Sequence, residues 1–145
     1  MLECSGVNMT DLEKARECFG GDLYATKTTG IQIDEVGVQC AKCSLKITEA
    51  HRNSFGSVMG GAIFTLADYA FAVASNFNQQ RTVSVTSQIN FLGMAKGGTL
   101  TAEARLIKDG HTTCLCEINI EDDLRTKIAF ATITGMKIPP KKSES

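Results

Sequence analysis

The sequence carries almost no excess charge, since 15 basic and 16 acidic residues give a formal net charge of -1. Both signs are scattered, so no basic patch of the kind that binds nucleic acid or an anionic membrane is indicated. No apolar run reaches the ~20 residues that a membrane-spanning helix needs, and no opening segment resembles a secretory signal. We therefore expect a cytoplasmic protein that binds neither nucleic acid nor membrane.

The sequence also indicates neither a metal site nor a disulfide framework. Six cysteines are present, and Cys40 and Cys43 have C-x-x-C spacing. They fall in the alternating run VQCAKCSLKI, where an extended chain turns the two side chains to opposite faces. Cys114 and Cys116 would share one face of a strand, but no second C-x-x-C or H-x-x-x-H motif completes a tetrahedral site. We expect reduced thiols and no metal.

The first third of the chain predicts a short helix followed by a hairpin. Thr10 or Asp11 is placed to cap the helix DLEKARECF, Glu13 to complete a capping box, and two glycines to end it. Apolar and polar residues then alternate from residue 31 to 47 on either side of a glycine, which predicts two strands joined by a tight turn.

A long helix and four further strands are predicted for the rest of the chain. The helix spans residues 58–76, and apolar residues occupy most of its circumference. Four alternating segments follow: TVSVTSQINFL, GTLTAEARLIKD, HTTCLCEINIED and RTKIAFATITGMKI. Asp109-Gly110 is a strong hairpin signal, because both residues tolerate positive φ. Four successive strands predict an antiparallel meander in an α+β domain.

These elements predict one domain with an uncovered surface. We expect residues 1–29 to form a peripheral helix and lead-in, residues 30–138 the domain, and residues 139–145 a disordered tail. One helix covers only one face of such a sheet, so the other face or an edge stays partly open. Dimerisation by strand pairing across a two-fold axis would bury the edge and build a site from two chains.

Asp68 is the one carboxylate within the apolar helix MGGAIFTLADYAFAVASN. A helix that is apolar on most sides is surrounded by protein, so Asp68 should be at least partly buried. An ionised carboxylate held away from water is costly unless it is paired or hydrogen-bonded. Either Thr65 or a hydroxyl of the sheet satisfies it, or it acts as a nucleophile or general base with a raised pKa. We expect the catalytic role.

Gly60 and Gly61 occupy the first turn of this helix, where backbone N–H groups lack partners and the helix dipole adds positive charge. Without a Cβ they let a substrate carbonyl approach, as an oxyanion hole requires. Alternatively, they only permit close packing on the sheet. Asp68 follows Gly61 by two turns, about 10 Å along the axis. Two antiparallel helices in a dimer would bring the amides of one chain to the carboxylate of the other.

The run H-x-N-x-x-G-x-x-M-G-G, followed by L-A-D on the helix and VSVTSQINFL on the next strand, resembles a known family. It is similar to the hot-dog fold acyl-CoA thioesterases of the phenylacetyl-CoA thioesterase (PaaI-like) type, over most of the chain from Ile31 to Ile138. The resemblance implies a long central helix wrapped by an antiparallel sheet. It also implies a homodimer that associates into a homotetramer, with acyl-CoA at the subunit interface and coenzyme A present as part of the substrate, not as a cofactor.

The same resemblance implies roles for individual residues. Asp68 is the catalytic carboxylate, and Gly60 or Gly61 supplies the oxyanion N–H. Asn53 helps to position the nucleophile, the water or the carbonyl. Ser84 matches a serine that assists in some members of the family.

Substrate-binding residues are expected around these groups. Thr86 replaces Ser84 if the strand register differs by two residues, and Met59 and Thr65 lie beside the expected catalytic groups. Four phenylalanines are candidates for an aryl or medium-chain acyl pocket: Phe55, Phe64, Phe71 and Phe91. Four basic residues in loops or at strand ends are candidates for the coenzyme A phosphates: Lys96, Lys108, His111 and Lys137.

Met59 is a departure from the family, whose members usually carry histidine directly before the two glycines. Methionine cannot reproduce the hydrogen bonds of an imidazole. By spacing, neither His51 nor His111 is placed to replace it. Two alternatives to acyl-CoA hydrolysis therefore stay open: a non-catalytic acyl-CoA binding protein, and a hot-dog hydratase or dehydratase acting on acyl thioesters.

Overall fold

The computed structural model describes residues 9–141, which form two α-helices and six strands. The helices are α1 (Asp11–Phe19) and α2 (Gly60–Asn76). The strands are β1 (Ile31–Gly37), β2 (Cys40–Lys46), β3 (Thr82–Phe91), β4 (Thr99–Asp109), β5 (Thr113–Asp122) and β6 (Lys127–Lys137). A π-helical segment, Tyr24–Thr29, and a 3-10 turn, Glu49–His51, connect them. Residues 1–8 of the expected lead-in and 142–145 of the expected tail lie outside the described residues.

α1 begins and ends at the predicted residues, and it covers one edge of the sheet. The Thr10 hydroxyl accepts a hydrogen bond from the Glu13 N–H, and the Glu13 carboxylate accepts one from the Thr10 N–H at 2.9 Å, which completes the predicted capping box. Arg16 Nε donates to the carbonyl of Ile33 on β1 at 3.0 Å. This contact uses a backbone acceptor of the edge strand, so the β1 edge is shielded by the helix.

The six strands form one antiparallel sheet in the order β1-β2-β4-β5-β6-β3, and α2 packs across it. The predicted two-strand hairpin is confirmed by β1 and β2. The predicted four-strand meander is wrong for β3, which pairs with β6 instead of β4. The meander is formed by β4, β5 and β6 alone. Residues 92–98 therefore cross from one edge of the sheet toward the other side, and we call this segment the β3–β4 crossover.

Two carboxylates at the β5–β6 turn explain why the chain crosses over at this point. Asp122 accepts hydrogen bonds from the N–H groups of Lys96 and Gly97 at 2.8 and 2.9 Å, and Asp123 accepts from the next two N–H groups. Burial alone would raise the pKa of Asp122, but the backbone N–H donors hold it well below its usual range. Gly97 and Gly98, which separate β3 from β4 in the sequence, are thus anchored to the β5–β6 turn.

The hairpin predicted at Asp109-Gly110 is confirmed, but its turn differs from the expected one. β4 and β5 pair as far as Asp109 and Cys114, and the Gly110 N–H donates to the Thr113 carbonyl at 2.9 Å. Neither Asp109 nor Gly110 has a positive φ. The loop contains three residues, 110–112, so the two-residue turn that would require positive φ does not form.

The cysteines lie as the strand pattern predicts. Cys43 is fully buried while Cys40 points to the other face of β2, and Cys114 and Cys116 are buried on one face of β5. Burial raises the pKa of Cys43 and of Cys116 to about 12. Both thiols therefore stay protonated at neutral pH and are poor nucleophiles.

In the part of the chain that the structure describes, β3 is the sheet edge that stays open. Its side chains from Ser84 to Gln88 are all exposed, whereas β4 and β5 bury alternate residues along most of their length. Its register with β6 shifts between Ser84 and Thr86, which marks a bulge at Val85. Among residues 9–141, no helix is both long and apolar enough to cross a membrane.

Candidate active site

One stripe of α2 is incompletely covered. The predicted enclosure of the helix is confirmed for its other sides, where nine residues from Ile63 to Ser75 are buried. The stripe consists of residues spaced about one turn apart, which are exposed or half-buried: Gly61, Thr65, Asp68 and Ala72. A helix that is otherwise within the core thus keeps one carboxylate accessible.

Asp68 has no partner among residues 9–141. Its carboxylate is half-buried, and neither a hydrogen bond nor an ion pair reaches it within this range. Thr65, the expected local partner, donates its hydroxyl hydrogen to the Gly61 carbonyl at 2.8 Å instead. The interpretation of Asp68 as a core carboxylate satisfied by Thr65 or by a sheet hydroxyl is therefore wrong. A half-buried carboxylate without a partner is typical of a functional site.

Burial raises the pKa of Asp68, and the negative charge of Asp22 adds to this rise. The expectation of a raised pKa is thus confirmed. Asp22 follows α1, and this segment is held against α2 because the Tyr69 hydroxyl donates to the Phe19 carbonyl at 3.1 Å. Asp22 could not be identified from the sequence, since no local pattern indicates that a residue after α1 meets the middle of α2.

The first turn of α2 offers two free backbone donors. Met59 precedes the helix without a side-chain cap, and its carbonyl accepts from the N–H groups of Ala62 and Ile63 at 3.0 and 3.2 Å. The N–H groups of Gly60 and Gly61 donate to no acceptor within residues 9–141. These are the orphan donors at a helix N-terminus that bind negative charge.

The packing explanation for the two glycines fits only the first of them. A Cβ on Gly60 would lie 3.1 Å from the Phe91 ring, so this position has little room for a side chain. A Cβ on Gly61 would meet no atom of the described residues within 4 Å. Packing within one chain therefore does not require glycine at residue 61, whereas close approach of a ligand to its N–H would.

Gly61→Ala should separate these two roles. We expect unfolding stability to be equal or higher, because alanine favours the helix and its methyl group enters open space. The kcat/KM for thioester hydrolysis should fall about tenfold or more, because the methyl group crowds an oxyanion donor. Thermal denaturation and initial rates check both parts. Gly98→Ala is the control, since a Cβ there also meets nothing within 4 Å. Unchanged kinetics in Gly61→Ala would remove this glycine from the site.

His51 is a structural residue and not a catalytic base. Its Nε2 lies 2.7 Å from the Thr29 carbonyl, and its Nδ1 accepts a hydrogen bond from the Thr48 N–H at 2.9 Å. Both nitrogens are thus satisfied by backbone groups, and the ring is buried. The His51 carbonyl accepts from the Met59 N–H at 2.8 Å, so this residue fixes the loop that leads into α2.

Asn53 shapes the same loop. Its Oδ1 accepts hydrogen bonds from the N–H groups of Phe55 and Ser57 at 2.9 and 3.0 Å. Its Nδ2 has no acceptor in the described part of the chain and is half-exposed, so it is able to donate to a ligand. The expected positioning role of Asn53 stays a prediction, restricted to this nitrogen.

The register of β3 separates Ser84 from Thr86. Ser84 pairs with Gly135, beside the Phe71 ring, and therefore lies on the face that α2 covers. Thr86 pairs with Thr134, on the opposite face. The bulge at residue 85 produces this change. Of the two predicted hydroxyls, the position of Ser84 is the one compatible with a site on α2.

The four phenylalanines occupy different environments. Phe91 lies against Gly60, and Phe64 is half-buried on α2. Phe55 is 94% exposed at the tip of the loop before α2. Phe71 is buried in the core between helix and sheet, so the prediction that it lines a pocket is wrong. Within one chain, Phe91 is the aromatic side chain that lies beside the glycines.

Lys108 and His111 lie far from the glycines of their own chain. The turn between β4 and β5 contacts the end of β6, because the Lys137 N–H donates to the Thr112 carbonyl. Thr82, which pairs with Lys137, is bonded by the last residue of α2. This end of the sheet is therefore about 25 Å from the start of α2. Lys137 itself forms an ion pair with Asp109. The predicted phosphate-binding role of these residues would require a second chain or a long ligand.

Comparisons with known proteins agree with this architecture. The sequence profile of the Thioesterase superfamily matches residues 55–129. Acyl-coenzyme A thioesterase PaaI of Escherichia coli is 34% identical over 134 residues, which cover 85% of this chain and 94% of PaaI. The 1,4-dihydroxy-2-naphthoyl-CoA hydrolase of Listeria monocytogenes is 29% identical over 111 residues, 74% of this chain and 90% of the hydrolase.

Solved structures give the same result. The structure of E. coli PaaI superposes with a TM-score of 0.79 and 27% identity over 90% of this chain and 98% of PaaI. A Streptococcus mutans protein bound to acetyl CoA superposes with a TM-score of 0.72 and 26% identity over 77% of this chain and 91% of that protein. The chain therefore has the hot-dog fold and belongs to the thioesterase superfamily.

Proposed function

We propose that this protein hydrolyses an acyl-CoA thioester to the free acid and coenzyme A. The observation that carries the proposal is that one helix holds a half-buried carboxylate and, at its start, two N–H groups, none of which has a partner among residues 9–141. Acyl-CoA as substrate is supported by the name of the E. coli relative and by the acetyl CoA bound to the S. mutans structure. The proposed reaction uses no metal and no separate cofactor.

In this proposal the site is shared by two copies of the chain. Asp68 lies about two helical turns from the Gly61 amide, too far for both to act on one carbonyl within a chain. The open edge of β3 and the incompletely covered stripe of α2 are the two surfaces that a second copy would cover. Antiparallel pairing of β3 with β3 of the second copy would also place the two α2 helices side by side and antiparallel. Further association into a homotetramer and the cytoplasmic location stay predictions.

One route uses Asp68 as a general base. The ionised carboxylate takes a proton from a water molecule, whose oxygen attacks the thioester carbonyl carbon. The negative charge that forms on the carbonyl oxygen is stabilised by the N–H groups at the start of the partner's α2. The C–S bond then breaks, and the departing thiolate takes the proton from the Asp68 carboxyl group.

The second route uses Asp68 as a nucleophile. Its carboxylate attacks the carbonyl carbon, coenzyme A leaves as a thiolate, and water hydrolyses the mixed anhydride. After single-turnover hydrolysis in H₂¹⁸O, label in the Asp68 side chain identifies the nucleophilic route, whereas label in the product alone fits either route, because water can also attack the acyl carbonyl of the anhydride.

Release of coenzyme A tests the proposed function itself. A thiol-reactive dye should show turnover of at least one acyl-CoA in a panel of acetyl, hexanoyl, decanoyl and phenylacetyl thioesters. Tight binding of these compounds without thiol release would contradict hydrolysis and favour a binding protein. Met59 is the observation behind that second candidate, because it is 48% exposed at the helix start and offers no hydrogen bond of the kind a histidine would.

Met59→His should therefore change turnover more than binding. An imidazole beside Gly60 would add a donor near the carbonyl and should raise kcat about 10-fold or more, since a well-placed donor of this kind is worth about 100-fold. Met59→Leu is the control, because it keeps the apolar volume without adding a donor. Equal kcat in wild type, Met59→His and Met59→Leu would show that this position does not control the reaction.

A further inference from the structure

A cavity of about 450 Å³ opens at the start of α2. It lies between the helix start, the end of β3 and the β3–β4 crossover, and Gly60 is part of its wall. A ligand bound at the free N–H groups would thus be directly beside it. The larger apolar residues of the wall are Val58, Ile63, Phe91, Leu92, Met94 and Ile128.

The wall of this cavity is uncharged. None of the described residues that line it is a lysine, arginine, histidine, aspartate or glutamate. A thioester has two substituents on its carbonyl carbon, and the coenzyme A side ends in phosphates that need cationic or N–H donors. An apolar wall suits the other substituent, the acyl group, and excludes an acyl group that ends in a carboxylate.

Phe91 lies between the start of α2 and the cavity, where an acyl group would enter the cavity. Its ring is in contact with the start of α2, 3.1 Å from the position of a Cβ on Gly60, and also lines the cavity. The side chain is 54% exposed, so its ring is incompletely fixed by packing within one chain. A shorter side chain at this position would open the cavity further without removing a core contact.

The wall formed by the β3–β4 crossover is held by backbone hydrogen bonds. The N–H groups of Leu92 and Gly93 donate to the Ile128 carbonyl at 2.8 and 3.4 Å. Asp122 holds the next part of the crossover through the Lys96 N–H at 2.8 Å. The backbone of this wall is thus in place before a ligand binds, which favours selection by size.

We propose that this cavity binds an uncharged acyl group, aliphatic or aryl, and that Phe91 sets the length that fits. The inference rests on the proposed thioesterase function, because the carbonyl must lie at the Gly60 and Gly61 amides for the acyl group to enter. Phe91 is then a specificity-determining residue. The substrate class is acyl-CoA with an apolar acyl end.

Chain-length profiles of kcat/KM test this assignment. For wild type and acetyl, butanoyl, hexanoyl, octanoyl and decanoyl CoA, kcat/KM should rise about fourfold for each added methylene until the cavity is full. Pentanoyl and glutaryl CoA share three methylenes, and the glutaryl compound should react about 100-fold or more slowly because its carboxylate would be buried. Phe91→Ala should move the optimum to a longer chain, whereas Leu124→Ala, which changes an exposed residue outside the wall, should not.

Several outcomes would overturn the proposal. The first is a chain-length profile of kcat/KM that in Phe91→Ala is unchanged or is lowered equally at all lengths. The second is a wild-type preference for glutaryl CoA over pentanoyl CoA. The third is a Phe91→Ala protein that loses its oligomeric state but keeps the wild-type chain-length selectivity. Calorimetric titration of wild type with coenzyme A and with octanoyl CoA keeps the test independent of turnover. If no acyl-CoA is hydrolysed but octanoyl CoA binds at least tenfold more tightly than coenzyme A, the proposed thioesterase function is refuted, whereas the assignment of the cavity to the acyl group is supported. Equal affinities would refute the cavity.

Discussion

Asp68→Asn should reduce kcat/KM for acyl-CoA hydrolysis by about 10³-fold. The amide has the shape of the carboxylate, but it can neither take a proton from water nor attack the carbonyl carbon. Binding of acyl-CoA should persist, because the apolar wall of the cavity and the helix amides are unchanged. Initial rates of thiol release and calorimetric titration measure the two properties separately. Activity close to that of the wild type would exclude Asp68 from the chemistry.

The same substitution should not destabilise the protein at neutral pH. Because burial and Asp22 raise the pKa of Asp68, the folded state binds its proton more tightly than the unfolded state. The resulting stabilisation is complete below the unfolded value of about 4 and is lost as the pH rises through the folded pKa. At pH 7 the ionised carboxylate therefore costs stability, and the neutral amide of the variant would not carry this cost. The melting temperature of the variant should equal or exceed that of the wild type at pH 7, and the difference should shrink as the pH is lowered.

Asp22→Asn is a matched control for the charge effect. It removes the second contribution to the raised pKa of Asp68 and leaves Asp68 in place. The acid limb of kcat/KM against pH should therefore move to lower pH, while the rate on the plateau is retained. If the limb stayed where it is in the wild type, a group other than Asp68 would control it.

Lysine substitutions on β3 should separate the subunits and abolish most of the activity. Ser87 and Gln88 are exposed on the open edge strand, so Ser87→Lys with Gln88→Lys should fold as a monomer. Across a two-fold axis these lysines would face identical charges, which opposes strand pairing. If each site needs both chains, kcat/KM should fall about 100-fold or more, since even small displacements of catalytic groups have effects of this size. Light scattering gives the mass, and thiol release gives the activity.

The control adds the same charge at a distance from β3. Thr112 and Leu124 are exposed in two turns, and Thr112→Lys with Leu124→Lys should keep both the oligomer and the activity. A fully active monomer of the β3 variant would contradict a site built from two chains. Retention of the oligomer in that variant would show that the chains associate through a different surface.

Local patterns predicted most elements of the fold but not the position of β3. The capping box at Thr10, the β1–β2 hairpin and the Asp109-Gly110 hairpin each depend on residues close in sequence, and these predictions are confirmed. The pairing of β3 with β6 depends on contacts far apart along the chain. Asp122 anchors the crossover by accepting hydrogen bonds from the N–H groups of Lys96 and Gly97, but no local pattern in the sequence distinguishes it from an ordinary turn residue.

Residues of the candidate site could be predicted where a polar side chain occurs in an apolar segment of the sequence. Asp68 in an apolar helix is such a case, and the structure leaves it without a partner among residues 9–141. Asp22 gave no signal, because its effect on Asp68 arises only when α1 and α2 meet. Asn53 and His51 could be located from the motif, but their backbone hydrogen bonds became visible only in the folded loop.

The hydratase alternative has little support from the site. Such chemistry pairs a carboxylate with a histidine at the same carbonyl. His51 has both ring nitrogens bonded to backbone groups, and His111 lies at the far end of the sheet from the glycines of its own chain. Hydration of an enoyl-CoA without release of free thiol would nevertheless favour this activity over hydrolysis.

Mixed oligomers provide the most direct test of a site formed by Asp68 of one chain and the glycine amides of another. Asp68→Asn and Gly61→Val chains should each be inactive as homodimers, because the first lacks the carboxylate and the valine side chain of the second blocks the approach of a carbonyl to the helix amides. A heterodimer would contain one site with both groups intact. Random mixing should therefore restore roughly a quarter of the wild-type rate of coenzyme A release. A mixture that contains heterodimers but is no more active than its two parents would contradict the shared site.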